Sequence, residues 1–178
     1  MLGTSTELTM QLLSEDLNRP DLDPVEGAEW LNNRVRDVFA DGVPWRPGAR
    51  ELLAAVRAAG VPTALVTNTK RALVDVALRT MGTSNFDVLA CSDEVEFTKP
   101  HPEHYLAAAI ALGAEPARCV AIEDSPTGIA SARAAGCAVL AIPNEVPLTE
   151  TDLDGTTVRS SLLEVDLRLL RRLVGGGG

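Results

Sequence analysis

The sequence predicts an α/β fold of three layers, a parallel sheet covered by helices on both faces. Three observations carry this. Between about Pro47 and Pro143, short apolar runs alternate with segments of helical spacing. The apolar runs lack polar alternation, which is the pattern of strands buried on both faces. The helical segments are punctuated by Gly60, Gly82 and Gly136 at their ends and by Pro102 and Ser125-Pro126 at their starts.

Each element follows in order. "GARELLAAVRAAG" (48–60) predicts a helix, and "VPTALVT" (61–67) a buried strand. "KRALVDVALRTMG" (70–82) predicts a helix and "FDVLACS" (86–92) a strand. "PEHYLAAAIALG" (102–113) predicts a helix, "CVAIED" (119–124) a strand, "SPTGIASARAAG" (125–136) a helix and "CAVLAIP" (137–143) a strand. Right-handed crossovers are expected between them. Residues 1–45 differ. "STELTMQLLSEDL" (5–17) and "VEGAEWLNNRVRDVFADG" (25–42) predict two helices without a strand partner, joined by "NRPDLDP". They are expected to form a helical appendage, with "VPWRPG" (43–48) as linker to a core over 46–174. "SLLEVDLRLLRRLV" (161–174) predicts a last amphipathic helix, and the glycines of 175–178 a flexible tail.

Composition narrows the function. The net charge of −9 opposes nucleic acid as a bulk partner, because phosphate backbones require a basic surface. No apolar run reaches membrane-spanning length, and "MLGTSTELTM" has neither the basic segment nor the apolar core of a leader, so a cytoplasmic location is expected. Aromatic residues are 3% of the chain, so Ala, Leu and Val must fill the core. Cys91, Cys119 and Cys137 form no C-x-x-C pair and read as buried reduced thiols. His101 and His104 are the only histidines and have no third soft ligand nearby, which argues against zinc. Lys70 and Lys99 are the only lysines among sixteen basic residues.

Ligands of open α/β sheets bind beyond the carboxyl ends of the strands. The residues predicted there are Thr67-Asn68-Thr69 after the first strand and Asp93, Glu94 and Lys99 after the second. Glu123-Asp124 follow the third and Asn144 the fourth. Two adjacent carboxylates need a compensating positive charge, and a hydrated Mg²⁺ held by one or two of them supplies it. With the Thr67 hydroxyl and the Lys99 ammonium, they make up the set needed for phosphoryl transfer, where catalysis is chiefly positioning and charge neutralisation.

Three stretches, "ALVTNT" (64–69), "TKPHPEHY" (98–105) and "VAIEDSPTGIASARAAG" (120–136), resemble the second, third and fourth motifs of the haloacid dehalogenase-like hydrolases. The resemblance covers about residues 1–145 and is nearest the branch of β-phosphoglucomutase and sugar-phosphate phosphatases. It implies a Rossmann-like core, residues 1–45 as part of a helical cap, and "VPWRPGA" as the hinge. It implies that Thr67 and the Asn68 backbone bind the phosphoryl group, that Lys99 holds nucleophile and phosphate together, and that Glu123 and Asp124 hold Mg²⁺. "GTST" (3–6) resembles the substrate-facing cap loop, which points to Gly3, Thr4 and Ser5. The implied activity is hydrolysis of small phosphorylated metabolites through an aspartyl-phosphate. A phosphosugar mutase and a non-catalytic receiver-like module are the alternatives; receivers place their acids first, whereas here Thr67 and Lys99 precede Glu123-Asp124. Neither the substrate nor the oligomeric state is specified.

The family's first motif, a hydrophobic strand ending in D-x-D-G, is not found before Thr67. The expectation is therefore a truncated form, inactive alone, that is poorly stable, dimerises through exposed strand edges, or has a break in its sheet between the strands of 61–67 and 119–123. "DLDGT" (152–156) has the right letters, but "NEVPLTET" before it is poor strand material, so a turn is predicted there.

Overall fold

The structure, a computed structural model, describes residues 6–144 and 146–175. Helix α1 (Thr6–Asp16) and helix α2 (Pro24–Asp41) pack together, and α2 also packs on a helix of the core. The carboxylate of Asp23 caps α2, accepting from Val25 N–H at 2.7 Å and Glu26 N–H at 3.2 Å, with Pro24 in the first turn. The core follows as α3 (Ala49–Ala58), β1 (Ala64–Val66), α4 (Arg71–Met81), β2 (Val88–Ala90), α5 (Glu103–Ala111), β3 (Val120–Glu123), α6 (Pro126–Ala134) and β4 (Ala138–Ala141). It ends with α7 (Glu150–Leu153), β5 (Thr157–Val158) and α8 (Leu167–Gly175). Among the described residues no helix is long and apolar enough to cross a membrane.

All strand pairs are parallel, but they form two sheets. β1 pairs with β2, and β4 lies between β3 and β5. Among the described residues β1 and β3 do not pair, so the sheet divides where the break is expected. Ile122 of β3 remains 41% exposed, whereas its register partner Leu140 is fully buried.

Alternation along β4 fills both of its faces. Val139 and Ala141 pack with Ala121, Ile129 and Tyr105 under α5 and α6. Leu140 and Ile142 pack with Leu52 of α3 and with Val165 and Leu169 by α8. A separate cluster, Val74, Leu78 and Cys91, joins α4 to the β1–β2 sheet. Small alanines thus do much of the core filling. Gly48 shows where a side chain cannot go. Its φ is +83°, and a Cβ there would sit 2.6 Å from the backbone nitrogen of Leu163.

Three sequence expectations change. The last helix begins at Leu167, not 161, because residues 162–164 form a 3-10 turn and Asp166 accepts from Leu169 N–H at 2.7 Å. Gly175 belongs to that helix rather than to a tail, and 176–178 lie outside the described residues. β5 adds a strand that the sequence reading does not contain. The D-x-D-G segment is a turn only in its second half: Asp152 and Leu153 end α7, and Asp154 and Gly155 turn. Asp152 caps α7 through Thr149, and Gly155 takes φ +67° before β5. Because Asp152 and Asp154 precede a strand parallel to β4, they lie at the amino ends of the strands, away from the rim holding Thr67 and Asp124.

Candidate active site

The rim is built by residues that leave the strands at their carboxyl ends. Thr67 follows β1 and donates its N–H to the carbonyl of Ala90 at 3.0 Å, which keeps it in register with β2. Its hydroxyl accepts from Thr69 N–H at 3.1 Å, curling the chain toward α4. Asn68 clasps the Lys99 loop: its Oδ1 accepts from Lys99 N–H at 3.2 Å, and its Nδ2 donates to the Lys99 carbonyl at 3.5 Å. The Lys99–Pro100 peptide is cis.

Lys99 is only 8% exposed, and its ammonium spans the break in the sheet. It donates to the Val66 carbonyl at the end of β1 at 3.0 Å and to Glu123 Oε1 at the end of β3 at 2.5 Å. Tyr105, from α5, donates its hydroxyl to the same Glu123 oxygen, and its ring lies 5.1 Å from the ammonium. The Glu123 carboxylate rests on α6, which Ser125 caps through Gly128 N–H at 3.1 Å. A Cβ on Gly128 would lie 2.0 Å from Glu123 Oε2, so only glycine leaves room for the carboxylate.

Asp124 turns the other way, to the open rim. Its carboxylate is half-exposed, accepts from Asn144 Nδ2 at 3.3 Å and lies 3.7 Å from the Arg46 guanidinium. Arg46, in the linker before α3, also donates to the carbonyls of Ile142 and Pro143 at 3.4 and 3.2 Å. It therefore ties the linker to the end of β4 and to Asp124. Thr67, Lys99, Glu123 and Asp124 thus converge on one rim. Gly3, Thr4 and Ser5 lie outside the described residues. Asp93 and Glu94 serve the backbone instead: Asp93 accepts from Arg71 N–H at 2.9 Å, and Glu94 pairs with the Arg71 guanidinium and accepts from Cys91 N–H at 3.0 Å.

Tyr105, Arg46 and Asn144 are site residues to which the sequence reading gave no role. Tyr105 stands inside "TKPHPEHY" and Asn144 at a strand end, so position was a signal for both. Arg46 reaches Asp124 across 78 positions, as the two residue numbers show, and no local pattern announces that.

Burial, and then the neighbouring Glu123, push the Tyr105 phenol well above its ordinary value. The folded protein therefore holds this proton more tightly than the unfolded chain. The resulting stability is present below the ordinary phenol value of about 10 and is lost as pH rises above it. Tyr105 is the only tyrosine, so the alkaline rise in absorbance at 295 nm reports it alone, the two tryptophans contributing a constant background. Tyrosinate is expected to appear together with the loss of helical circular dichroism on alkaline titration. Burial, and then Lys99, hold His104 below its ordinary value; it is fully buried in α5, with the backbones of Thr67 and Cys91 beside its ring.

The donor set suits one side of a hydrated magnesium ion. Such an ion takes one or two carboxylates and keeps waters. Asp124 offers a carboxylate with only long contacts, while Glu123 is engaged by Lys99 and Tyr105. Among the described residues no group of three or more His, Cys, Asp or Glu side chains is placed to hold a metal.

Comparison with known proteins identifies the family and the fold. The model of the haloacid dehalogenase-like hydrolase family matches residues 5–136. Protein CbbY of Rhodobacter capsulatus is 42% identical over 117 residues, 63% of this chain and 52% of that protein. Hexitol phosphatase A of Escherichia coli is 37% identical over 116 residues, 64% of this chain and 54% of that protein. The chain thus spans about half the length of these curated relatives. The crystal structure of a β-phosphoglucomutase from Clostridium difficile superimposes with a TM-score of 0.81 at 23% identity, covering 98% of this chain and 78% of that one. That likeness fixes the fold as α/β of the same type. With a family match over most of its length and a rim assembled from the three quoted motifs, the chain belongs to the haloacid dehalogenase-like hydrolases.

Proposed function

We propose that this chain serves a cytoplasmic, Mg²⁺-dependent phosphatase of small phosphorylated metabolites such as sugar phosphates, acting through an aspartyl-phosphate. The observation that supports it is that Lys99 bridges the carboxyl ends of β1 and β3, which Thr67 and the Glu123-Asp124 pair occupy. The Escherichia coli relative is named a hexitol phosphatase, which favours a phosphorylated polyol or sugar.

In this mechanism the Thr67 hydroxyl and the Asn68 backbone bind the phosphoryl oxygens and orient them for in-line attack. Lys99 neutralises charge as it builds up on those oxygens. Asp124, whose carboxylate faces the open rim, would hold Mg²⁺, with Glu123 acting on it only through water, and the ion would supply further charge neutralisation at the phosphoryl group. The nucleophilic Asp of the mechanism stands on a strand between β1 and β3, where the described residues place none.

The test is phosphate release from a panel of hexitol and sugar phosphates with Mg²⁺. Turnover by the 178-residue chain is expected at background, rising when a segment bearing a strand and Asp-x-Asp is joined ahead of it. The active form is expected to fall to background in EDTA and in Asp124→Asn. Hydrolysis that persists undiminished in both would contradict the proposal.

A further inference from the structure

We propose that Tyr105 is a positioning residue: its hydroxyl and the Lys99 ammonium share Oε1 of Glu123, and this shared contact fixes the ammonium in place for a phosphoryl oxygen. This rests on the phosphoryl-binding role proposed for Lys99.

An ammonium has three N–H groups and no acceptor. Two are committed, to the Val66 carbonyl at 3.0 Å and to Glu123 Oε1 at 2.5 Å. The third has no protein acceptor among the described residues, so it is the one that addresses a ligand. Its direction depends on where the other two are anchored. Val66 is fixed by pairing with Ala90. Glu123 is a long side chain, and on its own it could swing about its χ angles. Three groups stop it: Tyr105 donates to Oε1, Ser125 Oγ stands 3.4 Å from Oε2, and Gly128 provides the floor. Tyr105 is itself 8% exposed and set in the core beside Ile129 and Ala121, so its hydroxyl is a stiff anchor. Phenylalanine at 105 would keep the ring and its cation–π contact with Lys99 but remove the hydroxyl's bond to Glu123.

The test uses the full chain labelled with ¹⁵N-lysine, which yields two ammonium signals because Lys70 and Lys99 are the only lysines. In the wild type the signal of buried Lys99 is expected to be more protected from exchange than that of exposed Lys70. In Tyr105→Phe the Lys99 protons are expected to exchange about tenfold faster. The affinity of the folded protein for inorganic phosphate, measured by calorimetry, is expected to fall about three- to tenfold. In a Glu123→Ala background, which leaves no acceptor for the hydroxyl, Tyr105→Phe should change neither quantity further, since the hydroxyl acts through that carboxylate. Glu123→Gln alone should also speed Lys99 exchange, a second route to the same result should the phenylalanine variant not fold. Unchanged exchange and affinity in Tyr105→Phe, with phosphate binding lost in Lys99→Met, would overturn the positioning role and leave the phosphoryl reading intact. Equal phosphate affinity in wild type and Lys99→Met would overturn the phosphoryl role of Lys99, and the proposal with it.

Discussion

Lys99→Met is expected to destabilise the fold by about 3–5 kcal/mol, the range for removing one partner of a buried ion pair. Lys99 and Glu123 are each 8% exposed and 2.5 Å apart. Methionine fills much of the space of the lysine stem, so the loss is electrostatic rather than a cavity. It leaves the Glu123 charge with the Tyr105 hydroxyl and a distant Ser125, and the Val66 carbonyl without its donor. The effect is enlarged by position. This ammonium bonds to both β1 and β3, the two strands that no ladder joins among the described residues. For a chain of this size the melting temperature should drop by about 6–20 °C. Combining Lys99→Met with Glu123→Gln should recover a large part of the loss, because the orphaned charge is gone. Calorimetric melting of the two single variants and the double variant checks this; independent, additive losses would contradict it.

Gly128→Ala pits two effects of opposite sign. In a helix interior, alanine is favoured over glycine by about 0.5–1 kcal/mol. Here the new methyl would stand 2.0 Å from Glu123 Oε2, 2.2 Å from Cδ and 2.4 Å from Oε1. The carboxylate is the end of a side chain, and in an open setting it would step aside. It is held instead by Lys99 and Tyr105 in a buried site, so stepping aside breaks the pair. Overpacking costs about 1–3 kcal/mol and loss of the pair adds to it, so the clash wins and the net loss should be about 2 kcal/mol or more. With Glu123→Ala the space opens and the helix preference is unmasked, so adding Gly128→Ala to that variant should stabilise it. Denaturant titrations of the four proteins test the change of sign. A stabilising Gly128→Ala in the wild type would show that the cradle is not occupied by Glu123.

Much of this site was legible because strand ends are legible. Thr67, Lys99 and Asp124 follow apolar runs whose length and β-branching identify buried strands, and parallel topology then sends their ends to one rim. What sequence spacing does not carry is side-chain direction. Glu123 and Asp124 are neighbours, and a strand sends neighbours to opposite faces. One therefore turns inward to Lys99 and Tyr105, and the other outward to Asn144 and Arg46. The adjacent pair reads as two equivalent metal ligands until that division is seen. The partners themselves, Tyr105 at 18 positions and Arg46 at 78 from their carboxylates, are set by packing between elements. β5 escaped because two residues carry no period, and the start of α8 was misplaced because Asp166 rather than an earlier residue supplies its cap.

The measurement that bears most directly on the phosphate rim is titration of inorganic phosphate into the folded chain with Mg²⁺ present, for wild type, Thr67→Ala and Thr67→Ser. One binding site is expected in the wild type, weakened about tenfold in the alanine variant and largely restored by serine, which returns the hydroxyl. Binding of equal strength in all three, or none in the wild type, would contradict the assignment of this rim to a phosphoryl group.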